Sequence, residues 1–96
     1  MVSPQASSGE GLLRLRADAV DWREVEGEVV VLDRTNSAYL AVNAAGAALW
    51  PALARGSNAE ELVAILRSEF DVDDARARAD VDDFVAMLRK RELLES

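Results

Sequence analysis

The segment over residues 28–50, EVVVLDRTNSAYLAVNAAGAALW, constrains the fold of this chain more than any other. It begins with an unbroken apolar run at residues 29–32, which has the length and the β-branched composition of a strand. A polar turn follows at residues 33–37, and a further strand is predicted over residues 38–42. From Asn43 the apolar spacing becomes helical. Two strands leading into a helix predict an α+β fold.

The residues before this segment add one more strand at its front. Val20, Trp22 and Val25 favour a strand over about residues 20–26, and the Glu-Gly pair that follows predicts a hairpin turn into the strand at 28–33. Because residues 29–32 are apolar at every position, we expect this second strand to be central, with both faces covered. The sheet is then a three-stranded antiparallel meander, and its third strand lies at an edge.

The beginning of the chain has a different character. Residues 1–11 are small and polar, which predicts a disordered tail ahead of a single domain over residues 12–96. Leu13 and Leu15 alternate with arginines, a pattern that predicts a short half-buried strand. Half of the 96 residues are apolar, which is enough for one hydrophobic core.

The first predicted helix starts after the strands. Asn43 is its expected N-cap, and Gly56 is expected to end it. Pro51 lacks an N–H group and its ring clashes with the carbonyl group of Ala47, so the helix is predicted to kink or restart near Trp50.

Two more helices are predicted towards the end of the chain. Residues 57–60, Ser-Asn-Ala-Glu, predict a capping box in which Ser57 caps the second helix. Asp71 or Asp73 is expected to cap the third helix, and Leu93 and Leu94 are expected to fold back onto the core. The third helix has one apolar face, formed by Ala77, Val81, Phe84, Val85 and Leu88.

The composition excludes several classes of function. The chain has no histidine and no cysteine, which removes the commonest general base, the thiol nucleophile and the preferred transition-metal ligands. We therefore expect neither an enzyme nor a cofactor. The net charge of -7 disfavours binding to nucleic acid, whose phosphates it repels. No signal peptide or run of membrane-span length is visible, so a cytoplasmic protein without membrane contact is expected.

The aromatic residues allow two interpretations each. Trp22 and Trp50 are interpreted as core residues, as large aromatic side chains in small domains usually are, and stacking on a ligand is the alternative. If the even-numbered residues of the third strand face the helices, Tyr39 faces away from them. It then either covers the sheet or lines a groove for a peptide.

Met87 lies outside the apolar face of the third helix, on a charged flank. At 100° per residue it shares this flank with Arg76, Asp80, Asp83 and Arg91. A pliable apolar side chain among charges suits a binding surface, although it is also common on ordinary protein surfaces.

The order of these segments carries a family resemblance. From Trp22 to Leu94 the chain reads GEVVVLD, YLAVN, AAGAALW, EELVAILRSEF and DVDDFVAMLRKRELLE. This series resembles the PqqD-like RiPP recognition elements, above all the stand-alone subunit of lasso peptide biosynthesis. Two positions depart from the family pattern: Glu92 stands where a glycine is usual near the end of the last helix, and Pro51 follows the tryptophan of the first helix.

The resemblance implies a winged-helix-like domain that binds the leader of a ribosomally synthesised precursor peptide and performs no catalysis. In this family the leader adds as a strand to the third strand, beside the third helix, and the domain presents it to a leader peptidase or another maturation enzyme. The peptide-binding residues that it implies are Ala38, Tyr39, Leu40, Ala41, Val42, Arg76, Asp80, Asp83, Phe84, Met87 and Arg91.

The alternative is a winged-helix transcriptional regulator that binds DNA, because it shares the order of elements. Such a protein needs a basic recognition helix, but residues 73–91 contain as many acidic as basic side chains. An enzyme that uses carboxylates alone is a third and weaker interpretation.

Overall fold

The computed structural model describes residues 12–95. Its strands are β1 (Val20–Val25), β2 (Glu28–Asp33) and β3 (Ala38–Ala41), and its helices are α1 (Ala44–Arg55), α2 (Ala59–Glu69) and α3 (Asp74–Lys90). The strands form one antiparallel sheet in the order β1-β2-β3. The predicted α+β fold, three strands followed by three helices, is confirmed. The tail predicted for residues 1–11 lies outside the described residues.

The two faces of the sheet differ in what covers them. Trp22, Val31 and Leu40 are opposite one another across the strands and lie on the face that packs on the helices. Val30 belongs to the other face and is 47% exposed. The prediction that both faces of β2 are covered is therefore wrong, because a central strand has paired edges but needs a second layer to cover each face.

Helix α1 begins and ends as predicted but is not interrupted. The Asn43 Oδ1 atom accepts a hydrogen bond from the Gly46 N–H at 2.8 Å, and Gly56 ends the helix with φ 101°. The helix continues through Pro51, so the predicted kink or restart is wrong. Pro51 is exposed and Trp50 is fully buried. The ring thus lies on the solvent side, where water can bind the carbonyl group that lacks an N–H partner.

The start of helix α2 is capped one residue later than predicted. The Asn58 Oδ1 atom accepts a hydrogen bond from the Glu61 N–H at 2.8 Å, while the Ser57 hydroxyl group donates to the Glu61 carboxylate. Ser57 is buried and its backbone exchanges two hydrogen bonds with Leu13, of 2.7 and 2.8 Å. The predicted capping box is wrong because Ser57 is part of this bridge.

The N-terminal segment crosses the helices without forming a strand of its own. Leu13 pairs with Ser57 and Leu15 pairs with Leu94, each as an isolated bridge. The predicted short strand is therefore wrong, although Leu13 and Leu15 are both buried.

Helix α3 and the residues after it complete the core. The Asp73 Oδ1 atom caps α3 by accepting a hydrogen bond from the Arg76 N–H at 2.8 Å. Leu93 and Leu94 fold back onto the core as predicted, with 0% and 6% of their surface exposed. Glu92 adopts φ 61°, the left-handed region that favours glycine. The departure from the family pattern at this position thus lies at a point of backbone strain.

Candidate functional site

A groove of about 410 Å³ lies between the N-terminal half of α1 and one flank of α3. It contains every α3 residue of the predicted peptide-binding set, but not Arg91, which directly follows α3. The residues that line it are Arg76, Asp80, Asp83, Phe84 and Met87 on α3, and Asn43, Ala45, Gly46 and Leu49 on or next to α1. The four residues of the α1 side were not predicted. The signal that could have indicated them is Gly46, since a glycine inside a helix often marks a close approach.

Gly46 allows three elements to meet at the floor of the groove. A Cβ atom at this position would lie 2.7 Å from Val42 Cγ1 and 2.8 Å from Phe84 Cε1. Both distances are shorter than any ordinary contact between carbon atoms. The Phe84 ring therefore packs directly on the backbone of α1, next to the residue that follows β3.

Behind the groove three aromatic side chains form a continuous row of ring contacts. The Phe84 and Trp50 rings are 6.1 Å apart, and the Trp50 and Trp22 rings 6.4 Å apart, both in edge-to-face geometry. Trp50 is fully buried, as predicted, whereas Trp22 is 36% exposed. The prediction of a core position is thus wrong for Trp22, because it lies on a strand at the margin of the sheet.

The charged residues at the rim give this groove a negative balance. Arg76 Nε lies 3.3 Å from Asp80 Oδ1, while Asp83 forms no ion pair within the part of the chain that is described. Each of these side chains is at the surface, so their interaction with a ligand is screened by water and salt.

The other arginine on the N-terminal half of α3 is neutralised by its neighbours. Arg78 Nε lies 2.8 Å from Asp74 Oδ2, and its Nη2 atom lies 3.2 Å from Glu60 Oε1. The hydrogen bonds to Glu60 and Asp74 raise the pKa of Arg78 above its ordinary value. The N-terminal half of α3 therefore does not offer the basic surface that a DNA-binding helix requires.

Arg91 is directed to a different partner. Its Nη1 atom lies 3.5 Å from the Oδ2 atom of Asp33, whose side chain is fully buried at the end of β2. Asn36 donates two further hydrogen bonds to this carboxylate, of 3.1 Å from its backbone and 2.7 Å from its side chain. Burial raises the pKa of Asp33, but the hydrogen bonds from Asn36 and Arg91 outweigh it and hold the pKa below its usual value. Arg91 thus ties the end of α3 to the sheet.

Strand β3 presents its outer edge next to the groove. Within residues 12–95 no strand pairs with this edge. Ala38 and Leu40 are partly buried, whereas Tyr39 is 78% exposed and Ala41 is exposed as well. The Tyr39 side chain thus faces away from the helices, as predicted for the odd-numbered residues.

The described residues contain no group of three acidic side chains that could hold a metal ion. None of their helices has both the length and the apolar character needed to span a membrane.

Comparisons with known proteins agree with this architecture. TbiB1, solved in complex with the TbiA(beta) leader peptide, is 32% identical to this chain, with a TM-score of 0.77; the match covers 86% of this chain and 95% of that one. A lasso peptide synthetase B1, solved with its leader peptide, is 23% identical, with a TM-score of 0.72 and coverage of 88% and 98%. This second likeness concerns the fold alone.

The sequence comparisons point to the same family. No curated protein matches the chain. The family described as coenzyme PQQ synthesis protein D (PqqD) matches residues 28–94, from the start of β2 to the C-terminal bridge. The predicted resemblance is confirmed, and the chain belongs to the PqqD family.

Proposed function

We propose that this chain binds the leader region of a ribosomally synthesised precursor peptide by strand addition to β3. The observation that carries the proposal is the open edge of β3 next to the groove with Phe84 at its floor. The likeness to TbiB1, whose structure contains a leader peptide, supports it.

Strand addition explains how a chain without histidine or cysteine can have a specific function. The main-chain groups of the leader would pair with those of β3 and contribute affinity, while alternate leader side chains would enter the groove and contribute selectivity. The residues proposed to contact the peptide are Ala38, Tyr39, Leu40, Ala41, Val42, Arg76, Asp80, Asp83, Phe84 and Met87. For Arg91 we propose an indirect part, because its guanidinium group holds α3 beside the sheet through Asp33.

The bound leader would then be presented to a leader peptidase or another maturation enzyme. In this proposal residues 12–96 act as one binding domain in the cytoplasm, and the partner enzyme supplies all of the chemistry. The groove would restrain the leader so that the rest of the precursor reaches that enzyme.

Titration with a synthetic leader peptide tests the proposal. The leader is taken from the precursor encoded beside the gene for this chain, and a scrambled peptide of equal composition is the control. Trp50 contacts Phe84, so tryptophan fluorescence should change on binding, and anisotropy of a labelled leader provides an independent readout. A dissociation constant below about 100 µM, with no binding of the scrambled peptide, is expected. Equal binding of both peptides, or of neither, would contradict the proposal.

A further inference from the structure

The face of the sheet that points away from the helices is uncovered and largely apolar, with Asp21 and Arg23 of β1 as its charged residues along that strand. We define the outer sheet face as Val25, Val30, Leu32, Tyr39 and Ala41. Val25 is 44% exposed, Val30 47% and Tyr39 78%. An open concavity of about 600 Å³ lies on this face. Adjacent exposed apolar side chains of this kind indicate an interaction site.

Val25, Val30 and Leu32 of this surface are separate from the site proposed for the leader, whereas Tyr39 and Ala41 belong to both. The groove lies between α1 and α3, and both helices are on the opposite side of the sheet from Val30. A leader that pairs with the edge of β3 would extend the sheet sideways. Val25, Val30 and Leu32 therefore stay accessible when the leader is bound.

The turn between β1 and β2 places unpaired acids beside this face. We define the hairpin tip as Glu24, Glu26 and Glu28, which are all exposed. Within residues 12–95 none of them forms an ion pair, and the one basic residue next to them in sequence is Arg23, which lies opposite Val30. Elsewhere many acids are paired, for example Asp74 with Arg78 at 2.8 Å. The hairpin tip thus presents a local negative charge that is available to a partner.

We propose that the outer sheet face and the hairpin tip form a docking surface for the enzyme that receives the leader. This inference rests on the function proposed above. The docking partner has an apolar patch flanked by lysine or arginine side chains, so that its charges meet the hairpin tip. A second copy of this chain fits less well, because each copy carries a net charge of -7 and the two tips would repel each other. The domain would then hold the leader at its edge and the enzyme on its outer face.

Two variants test the docking surface without changing the proposed leader site. Val30→Arg removes an apolar contact and adds a charge that repels a basic partner. The triple variant Glu24→Gln, Glu26→Gln, Glu28→Gln removes the negative charge of the hairpin tip. The matched control changes the net charge by the same amount on the side of α2 and α3. It carries the substitutions Glu69→Gln, Asp71→Asn and Asp82→Asn. Val30→Thr keeps the shape of the side chain and its strand propensity if the arginine variant fails to fold.

The probe is the purified leader-processing enzyme encoded beside the gene, and its binding is measured by biolayer interferometry with and without leader. Val30→Arg is expected to weaken enzyme binding at least about tenfold, as loss of a central contact does, and Val30→Thr several-fold. The triple glutamine variant should slow association about tenfold at low salt, with little effect at high salt. The control triple and the leader affinity of every variant should remain within about twofold of the parent protein.

The outcomes separate this inference from the proposed function. Unchanged enzyme binding by both Val30→Thr and the triple glutamine variant would overturn the docking surface. A parent protein that binds the enzyme but not the leader would overturn the proposed function instead. A concentration-dependent dimer in light scattering that Val30→Arg abolishes would make the face a contact between copies of this chain, and would also refute the inference.

Discussion

The two edges of the sheet differ in how they are protected. Strand β1 has charged side chains at half of its positions, in the sequence VDWREV, whereas β3, with the sequence AYLA, has none. Charges on an edge strand discourage pairing with other chains, and an apolar edge without them accepts such pairing. The comparison indicates that β1 is an edge closed to partners and that β3 is an edge kept open for one.

Proline substitutions test this difference most directly. Leu40→Pro or Val42→Pro removes a main-chain N–H group from the β3 side, and we expect leader affinity to fall at least about tenfold if that group pairs with the leader. Arg23→Pro makes the equivalent change in β1, where leader affinity should be unchanged. Fluorescence titration measures the affinities, and circular dichroism establishes that each variant is folded.

Neighbouring positions sharpen the proline test. Because N–H groups along an antiparallel strand point to alternate sides, Tyr39→Pro removes a group opposite in direction to that of Leu40. Proline at positions whose N–H group points to the open edge should abolish leader binding with little loss of stability. Proline at the alternate positions, whose N–H group points towards β2, should destabilise the pairing of β2 with β3. If the β1 variant lost binding as strongly as the β3 variants, the assignment of β3 as the open edge would be wrong.

The floor of the groove next to β3 gives a second contrast, between two glycines. Gly46→Ala should lower leader affinity several-fold, since the new methyl group pushes Phe84 or Val42 out of place. It should also lower stability by about 1 kcal/mol, although Gly→Ala inside a helix normally raises it. Thermal unfolding and titration measure the two effects. The double variant Gly46→Ala, Phe84→Leu should recover part of the stability.

Gly27→Ala is the matched control at the β1–β2 turn. Gly27 has φ 83° and no atom near its missing Cβ, so the substitution strains the backbone by about 1 kcal/mol. Leader affinity of the folded fraction should not change. Equal losses of affinity in both glycine variants would mean that stability, rather than the shape of the groove, controls binding.

The order of the elements and the five α3 residues that line the groove could be predicted from the sequence, for identifiable reasons. Apolar periodicity and capping residues are local signals, so the predictions for Asn43 and Gly56 are confirmed and Asp73 is the correct one of the two caps expected for α3. Pro51 and Ser57 were misjudged because the packing of Trp50 and the bridge to Leu13 are contacts between distant parts of the chain. Long-range contacts of this kind override local preferences.

The same reasoning explains what was missed in the groove and on the sheet. The glycine inside α1 can indicate a close approach, but the sequence does not specify that Phe84 is what approaches Gly46 and forms the groove with α1. An apolar run such as residues 29–32 cannot distinguish a strand covered on both faces from one that is open on one face. The exposure of Val30 is evident only from the structure, in which the helices pack on one face of the sheet and Val30 lies on the other.

A third test contrasts two carboxylates on the sheet. Asp33 is buried and bonded to Arg91 and Asn36, whereas Asp21 is exposed and lies 3.7 Å from Arg34. Asp33→Asn places an amide N–H group against these donors, so we expect a loss of about 1–3 kcal/mol in the free energy of unfolding. Asp21→Asn should change it by less than about 0.5 kcal/mol. Chemical denaturation at neutral pH provides both values.

The effect of Asp33 also depends on pH in a defined direction. Its pKa is lower in the folded than in the unfolded state, so its stabilisation is present above about pH 4 and disappears as the pH falls through the folded-state value. The difference in stability between the parent protein and Asp33→Asn should therefore shrink between about pH 5 and pH 2. A difference that stays constant over this range would show that the charge of Asp33 does not stabilise the fold.

The smallest expected effect concerns the charges that flank the two edges. Asp83 lies at the rim of the groove beside β3 and has no ion-pair partner among the described residues, while Asp21 lies on β1. If the leader contains a lysine that lies near this rim, Asp83→Asn should slow its association about twofold at low salt, and the effect should vanish at high salt because exposed charges are screened. Asp21→Asn should leave the rate unchanged. Stopped-flow measurements with the leader and with its Lys→Gln analogue distinguish an effect of charge from an effect of shape. A twofold effect that persists with the glutamine analogue would mean that Asp83 acts on the shape of the groove and not through its charge.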